Sequence, residues 1–569
     1  MSRAQRPAPF RMPEPLFAEL ATGGGSAEAI AFLEGGERAR RLLLLRTMLD
    51  RLEGADTPLT PAAEAWQAVK AAAERAPEAV ERLLLAPATG RWIAHILRRV
   101  HGGATTGPPL WAEAGHLCAL AAAAAVHAGT ETGLRVPLTD GRLHLPGLGV
   151  LRLPGGRWGC SVGRAVTRGG RLTVTGPGRD GRPVTVTCRP ATEPIGGGPP
   201  AAGGRDTGPQ WIPLRTLTLA GAAGPVPIPL DDLDPYRDLD DPVPPARLDA
   251  DEAEAWQRIF AEAAAMLAGA ADGGPGRLDP SLVRAVVPWG RTALLPPAPQ
   301  TVPLSASSGD SYGGMVIARP ATGTALAEAL VHEFQHSKLG ALLHLFPLLD
   351  DDRVERYYAP WRADPRHLSG LLHGAYAFTG VTGFWRDRTA EPAHADAAAY
   401  HFALRRVQAR LVVRTLLASG RLTPAGRRLV TGLARTLDAW LREPVEPAVL
   451  ARARTAAALH RTEWRLRNVL PEPQEGLGAV RFRPDRRGWP DLRTHAFATR
   501  PTTPRTPDEH LAAADPAAAL DGYAEVLSRD PADPHALAGW IVARAAHEPG
   551  PAARRLLARP ELLQPQPSG

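Results

Sequence analysis

The stretch ALAEALVHEFQHSKLGALLHLF, residues 325–346, decides how this chain is read. It holds His332-Glu333-Phe334-Gln335-His336 in a run with no proline until Pro347. On an α-helix, residues four apart share a face, so both imidazoles can reach one metal ion. Glu333 lies about 100° round, where its carboxylate can serve a metal-bound water or steady a ligand. Ala325, Ala329, His332, His336, Leu339 and Leu343 form one stripe. The period predicts a helix over 324–346 whose histidines lie on an apolar face that packs inward.

An HExxH helix needs a third ligand. The extended peptidase pattern HExxHxxGxxH fails here, because Leu339 stands where it requires glycine and Leu342 where it requires histidine. Further along, His344, Asp351, Asp352, Glu355, Asp364, His367, His373, His394 and Asp396 are all candidates. The segment YYAPWRADPRHLSGLLHGAYAFTGVTGFW, residues 357–385, concentrates aromatics and glycines in a chain with only 5% aromatic residues. Within it His373 begins an apolar helix, where a lone imidazole is costly unless paired. His373 is therefore the preferred third ligand, with Asp364 next. Arg362 and Arg366 offer planar forks suited to a carboxylate, or equally to salt bridges with Asp351, Asp352 or Glu355.

The rest of the chain sorts by texture. Residues 1–130 read as an N-terminal helical region, with apolar residues at three- and four-residue spacing. Residues 131–245 form a β-rich insert of short alternating runs separated by Asp-Gly and Gly-Gly pairs. A loop or linker is expected over 193–209. Residues 246–470 carry the HExxH segment, a long helix before it, and helices near 393–418, 424–442 and 447–468. Just ahead of the metal helix, GGMVIARP reads as an edge strand for a substrate backbone or as a buried strand. Residues 471–569 give a Pro/Arg-rich linker and one tetratricopeptide-like helix pair, too few to stack into a solenoid. The expected fold is α+β and mostly helical, an HExxH domain with a small flanking sheet, a β-rich insert and a C-terminal helix pair.

Composition narrows the function. In 569 residues, 44% are apolar and 22% charged, the balance of a globular chain rather than a disordered one. The formal charge of +7 rests almost wholly on arginine, with lysine only at Lys70 and Lys338. Dispersed arginines of this kind are poor evidence for nucleic acid as a partner. Cys118, Cys160 and Cys188 lie far apart without CxxC spacing, so neither a disulfide framework nor a thiolate zinc site is expected. No apolar run reaches the ~20 residues of a membrane span, and the N-terminus lacks the apolar core of a signal peptide. A cytoplasmic protein with no membrane contact is the expectation.

Three motifs in order, VHEFQHSKLGALLHLF, APWRADPRHLSGLLHGAYAF and HRTEWRLRN (His460–Asn468), carry a resemblance. Over roughly residues 250–470 the chain resembles the 2-oxoglutarate-dependent HExxH-type peptide β-hydroxylases of ribosomal peptide natural-product clusters. The resemblance implies Fe(II), 2-oxoglutarate and O2, and hydroxylation of a β-carbon in a ribosomally made precursor peptide. Other maturation enzymes of the same cluster become possible partners. Under it His332, His336 and His373 are metal ligands, and Arg362 and Arg366 hold the cosubstrate carboxylate. Glu333 becomes a group that orients a ligand or water, or a ligand itself. His367 stands where the family usually has proline. Facial iron sites usually include a carboxylate, so three histidines are a departure that Glu333 or Asp364 would repair. The alternatives are a cytoplasmic Zn(II) metallopeptidase with Glu333 as general base, and a non-catalytic peptide-binding partner.

Overall fold

A computed structural model describes residues 11–102, 107–195, 210–221, 224–239, 241–268, 273–289, 305–470, 481–482, 497–498 and 500–563. Most of the expected loop at 193–209 and of the Pro/Arg-rich segment 471–507 lies outside them. The fold is mixed, 55% helical and 15% strand, with one nearly closed sheet. Packing divides the chain into two compact units: Ile30–Ala271 with Leu278–Leu345, and Met12–Ala29 with Asp272–Arg277 and Phe346–Gly569. The division falls directly after the HExxH helix, inside the segment 246–470.

Seven helices open the chain: α1 (Glu14–Ala21), α2 (Ala27–Leu52), α3 (Ala62–Arg75), α4 (Pro77–Leu85), α5 (Pro87–Gly102), α6 (Leu110–Ala114) and α7 (His116–Ala128). The last, HLCALAAAAAVHA, is buried on nearly every side, as a helix apolar all round must be. Its alanines let α3 and the strands come close. Gly129, at φ 64°, ends it in the left-handed conformation.

Ten strands follow: β1 (Thr132–Thr139), β2 (Arg142–Leu145), β3 (Gly149–Arg152), β4 (Cys160–Arg168), β5 (Arg171–Pro177), β6 (Pro183–Cys188), β7 (Glu193–Pro194), β8 (Trp211–Pro213), β9 (Arg215–Gly221) and β10 (Gly224–Leu230). Seven of them make an antiparallel sheet in the order β6-β5-β4-β1-β2-β3-β8. The Asp-Gly and Gly-Gly pairs do what their chemistry demands. Asp140 and Gly141, and Gly169 and Gly170, all take positive φ and close two-residue hairpins. The inner face of this sheet packs with α3, α4, α5 and α7 around Trp92, Val136, Leu143 and Leu151.

The second sheet carries the functional helix. Helix α8 (Ala250–Leu267), capped by the Asp249 side chain, crosses from β10 to the parallel strand β11 (Ala285–Pro288). Strands β12 (Ser305–Ala306) and β13 (Gly314–Ile317) complete the order β12-β13-β11-β10-β9-β7. Helix α9 (Gly323–Leu345) lies against β12, β13 and α8. A Cβ at Gly323 would fall 2.3 Å from that of Glu262, so only glycine lets α9 start this close to α8. The GGMVIARP segment is therefore no edge: β13 is paired on both sides, and the short β12 is the outermost strand.

The second unit is helical: α10 (Leu368–Arg388), α11 (Ala395–Ala418), α12 (Pro424–Arg442) and α13 (Pro447–Asn468). Beyond the two-residue pair β14 (Val469–Leu470) and β15 (Arg481–Phe482) come α14 (Pro507–Ala512), α15 (Pro516–Arg529), α16 (Pro534–His547) and α17 (Pro551–Ala558). Where the sequence suggested one C-terminal pair, these four helices form, each begun by a proline at its first turn. They share a core with α11 and α13 around Tyr400, Leu459, Leu511, Tyr523 and Ile541. Among the described residues no helix is long and apolar enough to cross a membrane.

Candidate metal centre

Helix α9 brings His332 and His336 together. Their Nε2 atoms lie 3.1 Å apart, with the rings nearly perpendicular. The stripe they occupy is inward only in part: Leu339 on it is fully buried. Leu326, Leu330, Val331, Phe334 and Ala341 fill the buried face, while Ala325, Ala329, His332, His336 and Leu343 are only half-buried. The adjacent strands take the larger apolar residues, which turns the histidines toward the accessible side. A bound ion there could be approached by a ligand from outside the helix.

Glu333 sits on the buried face, 1% exposed. Its Oε1 accepts a hydrogen bond from the Ser305 hydroxyl at 2.6 Å and lies 3.9 Å from Nε2 of His332. Its Oε2 is buried with no hydrogen-bond partner among the described residues. A buried carboxylate oxygen left so costs on the order of 1–3 kcal/mol, a deficit that a cation or a metal-bound water would cancel. Around it the helix is tied down: Ser337 Oγ accepts from the Gly313 amide and donates to the Glu333 carbonyl. Lys338 is buried on the same helix, and burial pushes its ammonium down to about 7.

The donor set can be tested against a metal. The two Nε2 atoms stand at hydrogen-bonding distance from each other, close enough to be shared by one ion. The histidine pair would therefore supply two adjacent ligands to one ion. Among the described residues, however, no group of three or more His, Cys, Asp and Glu side chains is placed to hold a metal. The first unit supplies two ligands and a neighbouring carboxylate.

The remaining candidates belong elsewhere. His344, on α9, gives Nδ1 to Glu37 of α2 at 2.6 Å. In the second unit Asp351 accepts from His367 Nδ1 at 2.6 Å and from the Ser369 amide, capping α10. Asp352 pairs with Arg356, and Asp396 with Arg452. Asp364 holds both arginines, Arg362 at 2.6 Å and Arg366 at 3.3 Å. Burial raises the Asp364 carboxyl, but these two partners leave it below the usual carboxylate range. As a metal ligand it would have to give up one arginine. The forks of Arg362 and Arg366 are thus engaged by Asp364, not by Asp351, Asp352 or Glu355.

His373 lies half-buried on α10, its imidazole pushed down to about 4, chiefly by burial and then by the charges of His367 and Arg366. A neutral ring is the form that binds a metal. The next residue explains the local sequence: a Cβ on Gly374 would strike the Trp361 ring at 2.2 Å, and Trp361 stacks on Phe378 one turn further. The segments 357–366 and 460–468 also meet within this unit. Tyr358 bonds His460 at 2.8 Å, Trp464 packs on Tyr358 and Ala363, and Asn468 donates to the Ala363 carbonyl at 2.8 Å. Two of the three motifs therefore build one substructure.

Sequence reading missed Ser305 and Lys338. Ser305 belongs to no motif and reaches Glu333 only through the β12–β13 pairing. Lys338 did leave a signal, as one of only two lysines in an arginine-rich chain. No protein-family model and no curated protein matches this sequence.

Proposed function

We propose that this protein is an Fe(II)/2-oxoglutarate-dependent dioxygenase that hydroxylates a β-carbon of a residue in a ribosomally synthesised precursor peptide in the cytosol. The observation that carries the metal part is the His332–His336 pair, 3.1 Å between Nε2 atoms on an accessible stripe beside a buried carboxylate. The three ordered motifs supply the iron, cosubstrate and peptide parts of the reading.

In this reading His332 and His336 hold the ion, and the resemblance assigns the third position to His373. Bound Fe(II), with 2-oxoglutarate and O2, supplies the oxidising power to replace an aliphatic C–H by C–OH. The chain's own residues do the positioning. Ser305 donates to one oxygen of Glu333, and the other, buried and without a partner among the described residues, would orient a ligand or water of the bound ion. Arg362 and Arg366 would exchange Asp364 for the distal carboxylate of the cosubstrate, two forks accustomed to a carboxylate partner.

The test is anaerobic reconstitution with Fe(II), then O2 and 2-oxoglutarate, following succinate with and without peptides encoded beside the gene. Succinate together with a peptide heavier by one oxygen atom establishes the reaction. Shortened peptides with Zn(II), lost in Glu333→Gln while metal is retained, would transfer the site to a metallopeptidase.

A further inference from the structure

The whole-chain charge conceals a concentration. Residues 132–190, strands β1 to β6, hold ten arginines against two aspartates, so this one sheet carries more than the entire +7 excess of the chain. Its outer face bears a groove of about 690 Å³ lined by Arg135, Arg164, Glu64 and the glycines Gly133, Gly163 and Gly176. Gly163 and Gly176 turn their Cα hydrogens to the core, where a Cβ would meet Leu138, and the outer face there is bare backbone beside Arg164 and Thr175. Gly133 shares the face of Arg135 and lies beside the Arg164 guanidinium, 3.8 Å from where its Cβ would be.

The two arginines stand directly opposite each other across the β1–β4 pair, and both are exposed. Like charges in that register destabilise a sheet, so folding alone does not account for them. Arg135 donates to the Leu59 carbonyl at 3.0 Å, whereas Arg164 has no carboxylate within ion-pair distance among the described residues. Glu64, the one acid in the lining, pairs with neither. Beside them Thr173–Thr187 and Thr175–Thr185 form a ladder of hydroxyls at 2.9 Å, a polar surface along which an extended chain can lie.

We propose that this groove binds an acidic, extended peptide segment, as the non-reacting part of the precursor substrate. The proposal deepens the hydroxylase reading and rests on it for the identity of the occupant. Charge complementarity selects an acidic partner, and the lining selects a peptide: no aromatic side chain in the groove offers a base a stacking surface. The exposed Trp158 nearby has its ring covered by Arg179, 4.6 Å from the centroid.

The experiment measures fluorescence anisotropy of a labelled dodecapeptide alternating glutamate and leucine, with metal-free full-length protein at low salt. The expected result is saturable binding that weakens as salt rises and is absent for the lysine–leucine counterpart. Arg135→Glu with Arg164→Glu should weaken it roughly tenfold or more, Arg164→Glu alone by less, and the double lysine replacement only slightly. Arg46→Glu with Arg82→Glu, an equal change in net charge on exposed sites of α2 and α4, should leave it nearly unaltered. Unchanged thermal melting checks the fold, and the single Arg164 variant removes no ion pair or hydrogen bond. Equal weakening by the control pair would overturn the proposal, as would failure to bind the acidic peptide. Tighter binding of oligothymidylate, lost in the same groove variant, would overturn it in favour of nucleic acid. Because no metal is present, a failed hydroxylase reading leaves this result intact, and succinate formation without peptide binding overturns the groove alone.

Discussion

Two regions of the molecule put histidines beside carboxylates and use them differently. On α9, His332 and His336 turn their Nε2 atoms toward each other, and the neighbouring acid, Glu333, is held by a serine. In the C-terminal helices, both nitrogens of His535 are taken by acids, Glu463 at 2.8 Å and Asp508 at 3.1 Å; Arg467 donates to the other oxygen of Glu463, and Tyr523 donates to Asp508 as well. These contacts push the His535 imidazolium up to about 10, against the opposing effect of burial. The second arrangement is a fixed positive charge that pins α13, α14 and α16. What separates them is convergence: two nitrogens facing one point invite a shared cation, whereas one ring between two carboxylates already is the cation.

The sharpest break of this comparison exchanges the mutations. His336→Ala should weaken metal binding by about 100-fold or more and abolish hydroxylation, with melting of the metal-free protein little changed. His535→Ala should do the reverse, keeping metal affinity while lowering the melting temperature by several degrees. Calorimetric metal titration and thermal melts of both variants check this, and a common loss in both would erase the distinction.

A smaller effect appears along the pH axis. The His535 contribution, raised above the ordinary 6.5, is complete below about pH 6.5 and is lost as pH climbs through about 10. Stability of the wild type should therefore fall over that alkaline range more steeply than that of His535→Phe, measured by denaturant unfolding. His116 and His144 work in the opposite direction in the first unit. Burial pushes both down to about 3, so they cost stability progressively as pH drops below about 6.5. The His535 cluster and the His116–His144 pair should thus weaken at opposite ends of the pH scale.

Subtler still is the serine. Ser305→Ala leaves both oxygens of a buried carboxylate without that donor, a loss of about 1–3 kcal/mol in unfolding free energy. Metal binding should recover part of it if the ion also satisfies Glu333, so the penalty should shrink on adding Fe(II) or Co(II). The smallest effect is expected from Glu333→Gln: metal affinity falls less than for His336→Ala, and any hydroxylation persists at a reduced rate. Complete loss of catalysis with metal fully retained would instead mark Glu333 as an obligatory base.

Much of this was legible beforehand because it is local. The HExxH spacing, Pro347 and the periodic apolar residues determine α9 within one residue at each end. Helices α11, α12 and α13 begin and end close to where their periodicity and Pro424 and Pro447 indicate. Asp140-Gly141 and Gly169-Gly170 write their hairpins directly, since positive φ at both central residues is a property of those residue types. What tertiary structure alone decided is relational. Which side of α9 faces inward depended on what β12, β13 and α8 pack against it, and that leaves His332 and His336 half-buried while Leu339 on their stripe is fully buried. The capture of His344 by Glu37, 307 residues away, has no trace in spacing. Nor has the engagement of Arg362 and Arg366 by Asp364, a choice among several nearby acids. The basic groove shows the same limit: ten arginines are countable along 132–190, but only strand pairing sets Arg135 against Arg164 across one groove. Local conformational preference is encoded residue by residue, while partnership is selected by geometry that the whole chain must first build.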